Sequence, residues 1–312
     1  MTKTKSIRQR SALLATVSAV ALSIACGGQA NASDHYVPGA APAASDVWVA
    51  VEGRFNTFAS DFFGEQFTYA YPDGPTFNGD PSDGLSGALE VGRRAAGSPF
   101  DFVGRLSLGT ANGEDDAYFY DGGIATSFGG HIEVRENHAI ADFEVGRNMD
   151  IGMGNTRVHA GLRAARFSLR AYGGQNVNYY VGLTEFGARQ KVTAIGPRIG
   201  IDQKIPLGSN ASIDLSAAGA VLFGKRDKEF ACSGNSGCNG VYTESDNVTV
   251  GNAEASAGLT YLFGPAEVTL GYRVDAFWGL YDDFLGSGDG GDGDRITHGP
   301  FAKVKVNFSD DN

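Results

Sequence analysis

The chain has 312 residues, of which 36 are acidic, 25 are basic and 45 are glycine. This acidic balance argues against nucleic acid and anionic membrane surfaces as partners. No apolar run after the N-terminal segment approaches the ~18 residues that a membrane helix needs, so any passage through a membrane must be made by strands.

Residues 1–32 read as a secretory signal peptide. Lys3, Lys5, Arg8 and Arg10 make a basic start, Leu13 to Ala25 is an apolar stretch too short to span a bilayer, and Ala30-Asn31-Ala32 predicts cleavage after Ala32. The alternative is a lipoprotein signal with Cys26 as the lipidated residue, although Ser23 stands where a leucine is usual. Setting the segment aside removes four basic side chains and no acidic one, which moves the formal charge from −11 to −15 over the remaining 280 residues. Residues 33–45 then form a Pro/Ala-rich periplasmic lead-in, 46–308 one closed β-structure and 309–312 a short tail.

The first expected strand, Val47 to Phe55, sets Val47, Val49, Val51 and Phe55 against Trp48, Glu52 and Arg54. This is the period-two alternation of a strand with one apolar face. Residues 59–84 carry Tyr-Pro-Asp-Gly and Pro-Ser-Asp-Gly turn signals and read as a long loop. Leu85 to Arg94 alternates Leu85, Leu89 and Val91 with Glu90 and Arg94, and a short turn leads to a third strand with Phe100, Phe102, Leu106 and Leu108 opposite Asp101, Arg105 and Ser107. Residues 110–137 read as a long loop with room for an extra hairpin. The fourth strand sets Ala139, Ala141, Phe143 and Val145 against Asp142 and Glu144, and the fifth sets Val158, Ala160, Leu162 and Ala164 against Arg157, His159 and Arg163.

Residues 172–190 form another expected long loop, and strand six turns Arg198 and Asp202 inward. Strand seven alternates Ile213, Leu215, Ala217, Gly219, Val221 and Phe223 with Asp214 and Ser216. A long polar loop, Lys225 to Asn247, precedes a strand ending at Tyr261-Leu262-Phe263. Gly264-Pro265 turns the chain into Glu267 to Leu280, with Val268, Leu270, Tyr272, Val274, Ala276 and Trp278 on one face. A Gly/Asp-rich loop then leads to the last strand, Phe301 to Phe308. Ten strands with connections alternately long and short describe a transmembrane antiparallel up-and-down β-barrel, all-β, with its short turns in the periplasm. Twelve strands follow if residues 110–137 hold a hairpin. Glycines scattered through the alternation suit a tilted, curved sheet.

Several short runs carry a resemblance: Ala194-Ile195-Gly196-Pro197-Arg198-Ile199-Gly200-Ile201, Ala218-Gly219-Ala220-Val221-Leu222-Phe223-Gly224, Leu270-Gly271-Tyr272-Arg273, His298-Gly299-Pro300-Phe301 and Asp142-Phe143-Glu144-Val145-Gly146-Arg147. The chain resembles the Legionella-type major outer membrane protein family, described as pore-forming. The resemblance covers most of the residues after the signal and implies the bacterial outer membrane. Its partners would be outer-membrane lipid, lipopolysaccharide and the barrel-assembly machinery, with a homo-oligomer as a further expectation. Barrels of this kind usually finish on an aromatic residue, whereas here Ser309-Asp310-Asp311-Asn312 follows Phe308.

The charges on the alternate face are the candidate pore-lining residues: Glu52, Arg54, Glu90, Arg94, Arg105, Asp142, Glu144, Arg157, Arg163, Arg198, Asp202, Asp214, Arg273, Asp275, Lys303 and Lys305. One reading is a water-filled passage whose mixed charge sets ion and solute preference for passive diffusion. The other is a set of salt bridges filling a narrow barrel, which then acts through its outer loops in adhesion or as a structural element. About eight strands give an interior that side chains fill and about 16 leave a wide channel, so ten lie near the closed end. An outer-membrane hydrolase is the weakest reading: it would need Asp115-Asp116 or Asp282-Asp283 with a His in a facing loop, and although His138 and His298 are available, neither sits in an Asp-His pair and no Ser/His/Asp set converges by spacing. The expectation is therefore no enzyme, no cofactor and no metal. Cys232 and Cys238 read as a short disulfide loop; a metal pair is the sharper alternative, without a nearby His or a zinc-type spacing. The run Ser287 to Asp294 offers oxygens to a divalent cation or forms a solvated loop tip, and Arg295 breaks the calcium-repeat pattern.

Overall fold

The structure, a computed structural model, describes residues 46–59, 81–94, 97–121, 126–150, 154–177, 182–234, 240–282 and 293–309. The segments expected to be a signal peptide and lead-in, together with Cys238 and most of the Gly/Asp run, lie outside them. Ten strands are formed: β1 (Asp46–Phe58), β2 (Asp83–Arg94), β3 (Phe100–Asp121), β4 (Thr126–Asp150), β5 (Asn155–Val177), β6 (Gly182–Pro206), β7 (Ala211–Gly234), β8 (Gly240–Phe263), β9 (Ala266–Tyr281) and β10 (Gly293–Ser309). Each is antiparallel to its chain neighbour, and β1 pairs with β10 to close the barrel, with Glu52 opposite Lys303 and Arg54 opposite Phe301. No helix among the described residues is long and apolar enough to cross a membrane.

The expected loops are largely strand, and that is the main correction to the sequence reading. Residues 110–121 and 126–137 continue β3 and β4 as one paired hairpin, from Thr110 opposite Asn137 to Asp121 opposite Thr126, so they add no strand. Residues 172–177 and 182–190 likewise extend β5 and β6, and 225–234 and 240–247 extend β7 and β8. Only the 59–82 and 282–292 connections are long, and the alternation of long and short connections fails at the other three.

The physical reason is a change of phase. Between Ala139 and Val145 the outward residues of β4 are apolar, whereas further up the strand Ile132 and Val134 point inward and His131, Glu133 and Arg135 point out. β5 does the same: Val158 and Leu162 are outward, then Phe167, Leu169 and Ala171 inward. In β6 the outward Ile195, Ile199 and Ile201 give way to inward Val192 and Ala188. The period stays at two, but the apolar set moves to the opposite face. Below the change the wall is apolar toward its surroundings, as lipid demands. Above it the wall is polar outside and apolar inside, like a soluble sheet.

The edge of the outward apolar band follows the register across neighbouring strands: Leu108 pairs with Ala139, Ala164 with Ile195, and Ile195 with Phe223. A membrane strand needs about 9–11 residues. The 22 to 25 residues of β3 to β8 therefore carry a six-stranded wall well beyond the band, while β1, β2, β9 and β10 are shorter. At the other end the turns are tight; Gly264 takes φ +60° in the two-residue turn between β8 and β9, a conformation that favours glycine. Arginine substitution tests the band. Phe143→Arg, on its outward face, is expected to destabilise the barrel by about 2–4 kcal/mol in urea unfolding from lipid vesicles, whereas Thr243→Arg, far above the band, changes it by about 0–1 kcal/mol. Equal effects would place the band elsewhere.

Candidate functional site in the barrel lumen

Each of the expected inward charges takes the lumenal side of its strand: Glu52 and Arg54 on β1, Glu90 and Arg94 on β2, Arg105 on β3, Asp142 and Glu144 on β4, Arg157 and Arg163 on β5, Arg198 and Asp202 on β6, Asp214 on β7, Arg273 and Asp275 on β9, Lys303 and Lys305 on β10. The alternation dictates this, since the neighbouring positions carry the apolar outer face. Rather than one constriction, the side chains form stacked layers.

The periplasmic layer is built on Glu90 and Glu267. Glu90 accepts hydrogen bonds from Trp48 Nε1 at 3.2 Å and Lys303 Nζ at 2.9 Å. Glu267 accepts from Lys204 Nζ at 2.8 Å and Asn307 Nδ2 at 3.2 Å, and Lys305 Nζ lies 3.8 Å from its Oε1. Lys305 also stands 5.1 Å above the Trp48 ring. That ring lies flat against the wall because residue 92 is glycine; a Cβ there would fall 2.0 Å from the indole. Asp214 accepts from Thr260 Oγ1 at 2.6 Å.

The central layer is a lattice of arginines, each shared between carboxylates. Arg157 reaches Asp101 at 2.9 Å, Asp202 at 3.0 Å and Glu144 at 3.3 Å. Arg163 holds Asp142 with two parallel bonds of 2.7 and 2.8 Å and also reaches Glu254 at 3.0 Å. Arg198 donates to Glu144 at 2.8 Å and to Glu254. Glu52 is shared by Arg105 at 3.0 Å and Arg273 at 2.9 Å, and Arg54 lies 3.8 Å from Asp275. Between these groups is a cavity of about 30 Å³, bordered by Glu52, Arg105, Asp142, Arg163 and Glu254. It has room for one or two waters.

The next layer crosses the barrel. Arg295 on β10 donates from Nε to both oxygens of Glu136 on β4, at 2.8 and 3.0 Å, and from Nη2 to His138 Nδ1 at 3.3 Å. Tyr281 on β9 donates to Glu136 at 2.9 Å. The guanidinium sits 5.2, 5.3 and 5.8 Å from the rings of Phe58, Phe167 and Phe277. Above it, Ile132, Val134, Leu169, Val192, Leu222, Val250 and Leu280 fill the interior as an apolar core. A second polar layer caps that core: Arg226 bridges Asp246 at 2.7 Å and Asp282 at 3.2 Å, and Lys228 bridges Asp282 at 2.7 Å and Glu244 at 3.2 Å. Burial works against the Lys228 ammonium, but its hydrogen bonds to Asp282 and Glu244 outweigh that and hold it above the ordinary lysine value.

Asp101, Glu136, Glu254, Glu267 and Arg295 are charges of this lumen absent from the expected set. Counting back by twos from the outward Tyr261 leaves Glu254 on the inner face, so its signal was present. Glu136 and Arg295 lie where strand was not expected. His138 is buried in the lumen in mid-strand, and His298 meets Tyr272 OH at 2.6 Å. Cys232 is buried and disulfide-bonded. The described residues contain no group of three or more His, Cys, Asp or Glu side chains able to hold a metal ion. From the Gly/Asp run, Asp294 accepts a hydrogen bond from the Gly279 N–H at 3.3 Å.

Among solved structures, the outer membrane protease OmpT of Escherichia coli aligns at 11% identity over 86% of this chain and 97% of its own, with a TM-score of 0.36. The translocator domain of the autotransporter NalP from Neisseria meningitidis aligns at 10% identity over 98% and 99%, with a TM-score of 0.32. The toluene transporter TodX of Pseudomonas putida aligns at 6% identity over 89% and 95%, at 0.29. No curated protein matches the chain in sequence. The family model described as the Legionella pneumophila major outer membrane protein precursor matches residues 113–308, from the upper part of β3 to the end of β10. That stretch carries the long wall, most of the lumenal lattice and more than half of the chain, so this barrel belongs to the Legionella major outer membrane protein family of the bacterial outer membrane.

Proposed function

We propose that the protein is a narrow, gated pore for passive movement of ions or small hydrophilic solutes, with the arginine–carboxylate lattice as its resting, closed state. The observation that carries this reading is the exchangeable pairing of the lumenal charges. Arg157 has three carboxylates in reach, Arg163 and Arg198 two each, and Glu52 and Glu254 two arginines each. An interior meant only to be solid is made more cheaply from apolar side chains, because buried ion pairs rarely repay their desolvation. A lattice in which each partner can be traded for another lets water and ions enter without leaving any charge unpaired, and its mixed sign filters them. Passive movement of this kind requires no enzymatic step and no cofactor.

Single-channel recording of the refolded protein in a planar bilayer tests it. Small, reproducible conductance steps with long closed periods are the expected result. A correctly folded barrel that never conducts would remove the pore and leave the second reading, a cell-surface role for the wall made by β3 to β8. The length of those strands beyond the apolar band favours that second role, and it is compatible with the first.

A further inference from the structure

The outer surface of the wall carries a feature that an acidic protein does not lead one to expect. On β4 to β7, in the first rows above the apolar band, the outward positions include Arg135, Arg166, Arg170, Arg189, Lys191 and Lys225. Arg135 stands directly opposite Arg170, and Arg170 directly opposite Arg189, so three guanidinium-bearing residues share one row across three strands. In the row nearest the band, Arg166 and Lys225 flank Thr193. None of the six forms an ion pair among the described residues, whereas the arginines of the lumenal lattice are paired with carboxylates. Like charges directly opposite one another weaken a sheet. Glu229 and Asp227 on β7 stand opposite Arg189 and Lys191 without closing to an ion pair, while Arg135 and Arg170 face each other with no carboxylate directly opposite either, so the patch keeps an excess of positive charge.

Its position limits what the partner can be. Just below these rows the outward residues are Ala164, Ile195 and Phe223, the upper edge of the apolar band. The tight turns lie at the opposite end, which in bacterial barrels is the periplasmic one. The patch is thus level with the polar headgroups of the outer leaflet, with apolar wall beneath it for acyl chains. Strands stand about 4.8 Å apart and successive outward residues about 7 Å, so the six cations cover an area of roughly 15 by 15 Å. That is the scale of a glycolipid headgroup bearing more than one phosphate. Arginine forks match phosphate oxygens in pairs, and lysines add point charge.

We propose that this patch is a binding site for a phosphorylated glycolipid of the outer leaflet, of the lipopolysaccharide class, with the phosphates held by the Arg135–Arg170–Arg189 row and by Arg166, Lys191 and Lys225 nearer the acyl chains. The lipid neutralises the repulsion within the row, so its binding stabilises the wall. The site is independent of the lumen and of conduction.

The experiment compares wild type with Arg135→Ala/Arg170→Ala/Arg189→Ala and with Arg166→Ala/Lys225→Ala, each refolded in lipid-free detergent. Their thermal unfolding is followed before and after titration with purified lipopolysaccharide, its enzymatically dephosphorylated form, and inorganic phosphate. In the absence of lipid the triple variant is expected to be at least as stable as wild type, because it relieves like-charge contacts. Lipopolysaccharide raises the melting temperature of wild type, and the triple variant binds it about 100-fold more weakly. The dephosphorylated lipid and free phosphate leave wild type unchanged. Equal stabilisation by phosphorylated and dephosphorylated lipid would overturn the proposal, since only the acyl chains would then be recognised. Stabilisation by free phosphate alone would overturn it in favour of a soluble polyanion site. Undiminished lipopolysaccharide binding by both variants would overturn it outright, and the double variant alone decides the matter if the triple one fails to fold.

Discussion

Arg163→Ala is expected to destabilise the barrel by about 3–5 kcal/mol in urea unfolding. Arg163 is 3% exposed and holds Asp142 through two bonds while reaching Glu254. Removing it strands Asp142 in the barrel centre, where no other arginine among the described residues forms an ion pair with it. Glu254 is less affected, because Arg198 still pairs with it. The asymmetry gives a second measurement: in Arg163→Met/Asp142→Leu both charges of the bidentate pair are gone and Glu254 keeps Arg198, so most of the loss is recovered. Lys204→Ala, at the more solvated rim where the lysine side chain is 40% exposed, shifts stability by about 0–1 kcal/mol. A loss under about 1 kcal/mol for Arg163→Ala would mean that water already occupies the centre, and the lattice would then be an open, hydrated filter instead of a closed one.

The lower barrel was legible in the sequence because one physical rule governs it. Lipid on one side and polar groups on the other force strict alternation, so Val158, Ala160, Leu162 and Ala164 point out and Arg157, His159 and Arg163 point in whatever the tertiary detail. The same rule excludes one-residue slips, which would turn every charge into the membrane, but a slip of two residues keeps the faces, so the register itself was not legible. Closure of β1 on β10 followed from the expectation of one closed barrel of ten strands, whereas the register of that pair depends on shear and was not legible.

The upper wall escaped for the opposite reason. Residues 131–135 alternate as faithfully as the rest, but their polar residues face out, and a pattern tuned to apolar-out strands reads them as loop. Gly129, Gly130, Gly173 and Gly174 strengthen that impression. Arg295 escaped because it follows a Gly/Asp run with turn character, and its partner Glu136 lay in another expected loop. The most enclosed charged group of the barrel was therefore assembled from two stretches that carried no strand signal. The basic patch was hidden by net charge: the whole chain is acidic, yet Arg135, Arg170 and Arg189 become neighbours only once the register of three strands is fixed.

The clasp between Arg295 and Glu136 is where conduction is expected to respond most. Arg295 and Glu136 are each 1% exposed and belong to strands separated by three others on one side of the barrel and five on the other, so their contact spans the lumen. Both are long side chains, and Arg295 is further fixed by the rings of Phe58, Phe167 and Phe277. Replacing one partner alone would leave a buried unpaired charge and confound gating with misfolding. Glu136→Ser/Arg295→Ser removes both charges and most of their bulk, and leaves hydroxyls that water can satisfy. A charge-assisted hydrogen bond contributes about 1.5–3 kcal/mol, so loss of the clasp shifts the closed-to-open balance by about 10- to 100-fold toward open. In single-channel records the variant is expected to open more often than wild type, with the apolar core above the clasp still limiting the conductance. The aromatic rings and Tyr281 remain to fill the wall, so the folded form should still be recovered and can be checked by its heat-modifiable mobility. A folded variant that gates like wild type would move the gate to the Arg157–Arg163–Arg198 lattice below. A folded variant with no conductance at all would show that the apolar core above the clasp closes the lumen by itself, and would take away the pore.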